Sequence, residues 1–273
     1  MKPAKLAAPL AALSVAALCF ATAPAACAAE PAAKTLKEPL KAPGIMVQED
    51  PLGNGSFSYD FSPTLEGVAP STWPADGWYR LVTAADHIDV AVAPSKKGQA
   101  PDFLRSIIRQ QENVEPATPA ETTPPEASAE QTSAIYLRVP GASLHAGSVP
   151  VYLFKNGSSH LNPKLDNRYE LTLGAQPFAF SVQNGQRSKN GTPYGDGAHY
   201  RIEYDGQAYE YDLDGLGWDS HIAAIADLDG DGKPDFIVYV GSGSGTTEVI
   251  LLSSKAKPGK NPPSASLAIM EGC

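Results

Sequence analysis

A short stretch near the C-terminal end of the chain concentrates carboxylates at a spacing that suits a metal ion. Residues 227–235 read DLDGDGKPD, and the acids of this stretch are Asp227, Asp229, Asp231 and Asp235. Carboxylates this close repel one another unless a cation neutralises them. Hard oxygen ligands favour Ca²⁺, which takes six to eight oxygens in a flexible geometry. We expect Lys233 to add its backbone carbonyl as a further ligand, with its side chain facing solvent.

The residues around this loop predict a β-hairpin and argue against an EF-hand. An EF-hand needs a carboxylate at the twelfth position of the loop, where this chain has Val238. The segment 236–240 that follows reads FIVYV, which is typical of a strand. The acid series contains no His or Cys, so Zn²⁺ and Cu²⁺ are disfavoured. The alternative is an acidic surface turn that binds no metal. The spacing of the acids, which matches that of a ligand set, disfavours this alternative.

Segment 222–245, in which DLDGDGKPD leads into FIVYVG, resembles the calcium-binding hairpin of FG-GAP and VCBS-type repeats. In those families the loop joins two strands of a β-propeller blade or a related β-module. The resemblance covers about 25 of the 273 residues, and the loop occurs once. A propeller needs several blades to close, so we do not expect a propeller. The position-matched ligands that the resemblance implies are Asp227, Asp229, Asp231, Asp235 and the carbonyl of Lys233.

Short apolar alternations separated by turn residues predict a mainly β fold for residues 134–273. We expect an antiparallel β-sandwich or a barrel-like domain that carries the hairpin and its loop. The clearest local signal is Asp205-Gly206, a favoured type I′ turn. A two-residue loop there places Tyr200 opposite Tyr211 on one face and Arg201 opposite Glu210 on the other. Aromatic pairs and opposite charges on separate faces are what a correct register produces.

Composition divides the remainder of the chain into further segments. Residues 113–133 are rich in Pro, Ala, Thr and Glu and have little to bury, which predicts a linker. Residues 29–50 are predicted to be a shorter linker. Between them, residues 51–112 are expected to form a small α+β lobe. Its strands are predicted near 57–61, 78–82 and 88–92, and its helix from Asp102 with an apolar stripe of Phe103, Leu104, Ile107 and Ile108.

Residues 1–28 have the features of a secretory signal peptide. Lys2 and Lys5 precede an apolar stretch, and Ala26-Cys27-Ala28 provides a small-residue cleavage site. We therefore expect a periplasmic or extracellular protein. Lipid attachment at Cys27 is disfavoured because the preceding residues lack the Leu that a lipobox has three positions upstream. After cleavage Cys273 would be the one remaining cysteine of this sequence, without an intramolecular disulfide partner. We expect a monomer, with a disulfide-linked dimer through Cys273 as the alternative.

Charge and hydropathy exclude some classes of partner. The full chain has a formal net charge of −9. Loss of Lys2 and Lys5 would make it −11, which disfavours binding to nucleic acid. A second apolar run of membrane-spanning length is absent from the sequence, so the mature chain is not expected to cross a membrane.

These observations favour a non-enzymatic, secreted or periplasmic β-module with a structural calcium ion. Such a module would bind a protein partner, a glycan or a component of the cell envelope. The alternative is a secreted hydrolase whose catalytic acids come from loops, with Asp166, Asp196 and Asp219 as candidates. A carbohydrate- or peptide-binding face is a further hypothesis, although a small sheet needs about half of these aromatic residues in its core. Its candidate residues are Tyr194, Tyr200, Tyr204, Tyr209, Tyr211 and Trp218.

Overall fold

The computed structural model describes residues 42–49, 57–59, 69–112, 134–184, 198–213, 220–242 and 245–270. These residues are mainly β, with one α-helix, α1 (Asp102–Glu112), and 3₁₀ turns at Pro70–Thr72 and Ser253–Lys255. The strands are β1 (Gly44–Glu49), β2 (Phe57–Tyr59), β3 (Tyr79–Thr83), β4 (His87–Val92), β5 (Ala134–Arg138), β6 (Gly147–Pro150), β7 (Arg168–Leu173), β8 (Gln176–Asn184), β9 (Ala198–Tyr204), β10 (Gln207–Leu213), β11 (Ser220–Ala226), β12 (Asp235–Ser242), β13 (Gly245–Leu251), β14 (Gly259–Asn261) and β15 (Ala265–Met270).

The larger sheet forms a nearly closed barrel. Its strands follow the order β11-β12-β13-β15-β1-β5-β3-β4-β6, and β2 pairs with β1. The two ends of this row meet where Val151, just after β6, forms a bridge with Ala226 at the end of β11. The amide of Tyr152 also donates to the carbonyl of Ile225 at 2.7 Å. The inner face is filled by apolar side chains, among them Leu81, Ile88, Leu137, Ile237 and Ile250.

A second sheet, in the order β14-β10-β9-β8-β7, packs on the outer face of β11, β12 and β13. The rings of Phe180 and Phe236 meet edge to face across this interface, with centroids 5.6 Å apart. Ile237 points into the barrel, whereas Phe236 and Val238 belong to the core between the two sheets. Burial on both faces explains why β12 is an unbroken apolar run rather than an alternating one.

The predicted hairpin at Asp205-Gly206 is confirmed, including its register. Strands β9 and β10 pair Tyr200 with Tyr211 and Arg201 with Glu210. Asp205 and Gly206 have φ values of 51° and 70°, as a type I′ turn requires. The tyrosines are buried, and the charged pair lies on the opposite face with Nη1 and Oε1 2.7 Å apart. The local turn chemistry therefore decided this register.

Helix α1 covers another part of the barrel's outer face. The predicted apolar stripe is confirmed, because Phe103, Leu104 and Ile107 are buried against residues of β1 and β5. The ring of Phe103 stacks on that of Tyr136 with centroids 4.0 Å apart. The helix and the second sheet thus cover different strands of the barrel from outside.

The predicted division into two lobes is wrong. Strand β1 lies within the segment 29–50 that was expected to be a linker, and it pairs with both β5 and β15. Strand β3, from the expected N-terminal lobe, also pairs with β5. Apolar alternation along the chain identifies strands but not the distant strands with which they pair. The sequence pattern therefore did not reveal that both predicted lobes contribute strands to one barrel. All described residues belong to one compact unit.

Several predictions fall outside the described residues: the signal peptide at 1–28, the linker at 113–133 and the state of Cys273. None of the helices in the described ranges has the length and apolar character needed to cross a membrane.

The shared barrel predicts that a chain cut between residues 113 and 133 keeps its two fragments together. A Glu-specific protease can cut after Glu126 or Glu130, in a segment without large apolar side chains. We expect one native peak in size-exclusion chromatography and two bands on a denaturing gel. As the control, the digested protein is chromatographed in strong denaturant, where the two fragments should elute separately. Two native peaks from the folded protein would contradict the shared barrel.

Candidate metal centre

The acid-rich loop connects β11 to β12 and is anchored by its second residue. Leu228 is fully buried and packs into the barrel core. Its carbonyl accepts a hydrogen bond from the amide of His145 at 2.8 Å. The apolar residue between Asp227 and Asp229 therefore fixes the loop to the barrel. The expected strand–loop–strand hairpin is confirmed as a backbone arrangement.

Local hydrogen bonds between carboxylates and backbone amides shape the rest of the loop. Asp227 Oδ2 accepts from the amide of Gly232 at 3.0 Å, and Asp229 Oδ1 accepts from the amide of Asp231 at 3.3 Å. Gly232 has a φ of +80°, a conformation that glycine adopts without the strain of a Cβ atom. These contacts bend the chain so that the carboxylates converge.

Three of the four predicted acids come together in space. Asp227, Asp229 and Asp235 each offer one carboxylate oxygen, and these oxygens lie within 4.8 Å of one another. Calcium–oxygen bonds measure about 2.3–2.6 Å, so two ligands on opposite sides of one ion are about 5 Å apart. The spacing of the three carboxylates therefore suits a single ion of this size.

Asp235 holds the centre together through its own hydrogen bonds. Its side chain is buried, and Oδ2 accepts from the amides of Leu228 at 2.7 Å and Asp229 at 3.3 Å. Oδ1 accepts from the amide of Ser253, in the 3₁₀ turn after β13, at 2.7 Å. Burial, and next the charge of Asp229, raise the pKa of Asp235 well above its ordinary value, and these hydrogen bonds oppose that rise.

Two carboxylate oxygens of the cluster are buried without a hydrogen-bond partner. Among the residues that the structure describes, no donor reaches Asp227 Oδ1 or Asp229 Oδ2. Burial and the neighbouring Asp231 also raise the pKa of Asp229. Leaving a buried acceptor unsatisfied is costly, and a hard cation would satisfy both oxygens at once. The donor set therefore fits a divalent cation with oxygen ligands.

The remaining two predicted ligands are placed differently. Asp231 lies outside the group of three, because its Oδ1 accepts from the amide of Lys233 and from Ser253 Oγ, both at 2.9 Å. The Lys233 side chain does not simply face solvent as expected. Its Nζ lies 3.4 Å from a carboxylate oxygen of Asp205 and 5.4 Å from the ring centroid of Tyr204. The β9–β10 hairpin beside the loop provides these partners.

A groove of about 700 Å³ runs beside the loop. Its lining includes Asp227 and Asp231 from the loop, together with His145, Ser148 and Gln176. The groove gives solvent and dissolved ions a path to the carboxylates.

Ser253 and Ser254 contribute to the centre but were not predicted. Ser253 contacts both Asp231 and Asp235, and a hydrogen bond from Ser254 lowers the pKa of Asp229 in opposition to burial. The signal for them is indirect. In the β12–β13 pair Phe236 faces Leu251, so the residues just after β13 must lie beside Asp235.

The structure describes some of the residues of the alternative hypotheses. Asp166 lies in the turn before β7, and Asp196 and Asp219 are outside the described residues. The described tyrosines of the expected binding face are buried in the core between the sheets and do not form an exposed face; they are Tyr200, Tyr204, Tyr209 and Tyr211. Tyr194 and Trp218 also fall outside the described residues.

Comparison with known proteins adds no family to this picture. No protein-family model matches the chain, and no curated protein or solved structure matches it either.

We predict that Asp235→Asn destabilises the protein whether or not calcium is present. The amide nitrogen of Asn would face a backbone N–H that now donates to a carboxylate oxygen, so at least one buried hydrogen bond is lost. The expected cost is about 1–3 kcal/mol in the free energy of unfolding. Urea unfolding in EDTA and in calcium measures it. Asp76→Asn, at a side chain that is 95% exposed, is the matched control. Unchanged unfolding of Asp235→Asn in EDTA would contradict the role assigned to Asp235.

Proposed function

We propose that this chain is a secreted or periplasmic, non-enzymatic β-module stabilised by one Ca²⁺ ion. Asp227, Asp229 and Asp235 would hold the ion, with Asp231 and the Lys233 carbonyl as further ligands. The observation that carries the proposal is the pair of buried, unpartnered oxygens on Asp227 and Asp229, within a cluster of calcium-sized spacing. The hairpin's resemblance to FG-GAP and VCBS-type repeats supports the same ligand set.

The position of the cluster supports a structural role for the ion. Asp227 directly follows β11, Asp235 begins β12, and Ser253 follows β13. A cation at the carboxylates would therefore join the ends of β11 and β12, and the hydrogen bond from Ser253 to Asp235 would connect β13 to them. Calcium supplies positive charge to crowded carboxylates, and the chain supplies a loop already bent by its own amide hydrogen bonds. Such an ion stabilises the fold on which a partner-binding surface depends.

The same strands would carry the stabilisation by the ion to the rest of the module. They form the layer shared by the barrel and the second sheet, so a stabilised loop strengthens both cores. We propose that the partner is a protein, a glycan or a component of the cell envelope, in keeping with the secretory N-terminus.

We predict that calcium raises the melting temperature and that Asp229→Ala abolishes this rise. An ion that binds only the folded state stabilises it by about 2.7 kcal/mol at a hundredfold excess over Kd. With no carboxylate at the twelfth loop position, we expect a Kd of about 10⁻⁴–10⁻³ M, as in other extracellular modules. Differential scanning calorimetry and isothermal titration calorimetry measure the two quantities. In EDTA the variant should melt at or above the wild-type temperature, because one repelling charge is gone.

Asp89→Ala is the control for this experiment, since Asp89 lies on β4 with a side chain that is 61% exposed. It should keep the full calcium-dependent rise. The proposal fails if wild-type protein shows neither heat of binding nor a melting shift up to about 10 mM calcium. A hydrolytic activity that disappears in EDTA while the fold persists would instead favour an enzyme.

A further inference from the structure

A second acid in the barrel lies apart from the metal centre. Glu248, in the middle of β13, is 0% exposed. Neither of its carboxylate oxygens has a hydrogen-bond partner of ordinary geometry within the described ranges. A buried carboxylate that lacks well-formed hydrogen bonds and an opposite charge is too costly to be kept ionised, so this group requires another explanation.

The strands around Glu248 place it on the inner face of the barrel wall. It faces Tyr239 on β12 and Leu267 on β15. Leu267 belongs to the barrel core, and Tyr239 packs against that core. The surroundings of Glu248 are therefore largely apolar, with the phenol of Tyr239 as the polar neighbour.

The titratable groups near Glu248 are few. Tyr239 faces it directly, and burial, followed by the charge of Glu248, raises the pKa of that phenol, so the hydroxyl stays neutral. His221, on β11, lies beyond Tyr239 and stacks on its ring with centroids 4.9 Å apart. Tyr79 packs against the same core from β3. Burial raises the pKa of Glu248, and a hydrogen bond from the Tyr239 hydroxyl lowers it in part.

We propose that Glu248 is a proton-binding site in the barrel wall, held as a neutral carboxylic acid in the folded protein, and that its ionisation weakens the β12–β13–β15 wall. The site is independent of the metal centre. Glu248 pairs with Tyr239, which is four residues from Asp235 on β12, so the proton and the cation act at different places along the β12–β13 pair.

The direction of the pH effect follows from the two states of the chain. Burial raises the pKa of Glu248 from 4.5 to about 7, and the Tyr239 hydroxyl lowers it in part. The folded protein therefore holds this proton more tightly than the unfolded chain does. The stabilisation is fully present below pH 4.5 and is lost as the pH rises through about 7. The barrel wall is thus tightest under acidic conditions.

The test compares the wild-type protein with Glu248→Gln, which keeps the shape of the side chain and cannot ionise. Urea unfolding is measured from pH 4.5 to 8.5, in EDTA and again in excess calcium. Between these limits the wild-type unfolding equilibrium constant should increase about a hundredfold relative to that of Glu248→Gln. The difference between the two proteins should be the same with and without calcium, which separates this proposal from the calcium proposal. Glu170→Gln, at an exposed acid on β7, is the matched control and should follow the wild-type curve.

A second measurement does not depend on a variant that folds. Carboxyl-carbon NMR of the wild-type protein should show one glutamate that titrates near pH 7. Tyr239→Phe removes the hydroxyl that lowers the pKa of Glu248, so it should move this titration to higher pH. The proposal is overturned if every glutamate carboxyl titrates below pH 5.5, or if wild type and Glu248→Gln lose stability in parallel.

Discussion

The hydrogen bonds of the buried Asp235 carboxylate are the constraint on which the candidate metal centre depends. Its oxygens accept from amides on both sides of the cluster, at Leu228 and Asp229 in the loop and at Ser253 after β13. Because Asp235 also begins β12, its position is fixed by a strand that is buried on both faces. The core therefore fixes Asp235, and the hydrogen bonds to Asp235 position the loop that carries Asp227 and Asp229.

The layer formed by β11, β12 and β13 connects this local geometry to the whole molecule. One face of the layer is barrel wall, and the other carries the second sheet. In β11 the pairing with β12 shifts between Ile222 and Ala224, which leaves Ala223 as an extra residue. Such a bulge lets Ile222 and Ile225 face the second sheet while Ala223 and Ala224 face the barrel. Small alanine side chains on the inward side leave room for the larger residues of the opposite wall.

The sequence predicted what is decided locally. The Asp205-Gly206 turn set the whole β9–β10 register, since a two-residue loop leaves no freedom in strand pairing. The acid series predicted the bent loop, because neighbouring amides and carboxylates shape it. Pairing between distant segments was not predicted: β1 and β15 are parallel neighbours separated by most of the chain. The sequence predicted two lobes where the barrel is continuous, because the apolar residues Ile45, Met46 and Val47 do not indicate which strands pair with β1.

Glu248 shows the same limit at a single residue. In the run TTEVIL an acid among apolar residues would be assigned to a solvent face, since alternation gives two faces without saying which is inside. Its partner across the strands, Tyr239, resolves the choice, because the β12–β13 register sets the two side chains opposite each other. The two buried acids of this region then differ in one physical respect. Asp235 is surrounded by N–H donors and can carry charge beside a cation, whereas Glu248 is surrounded by hydrocarbon and a phenol and must take a proton. Under the two proposals above, the same layer of strands would respond to a metal ion where it meets the loop and to pH within the barrel wall.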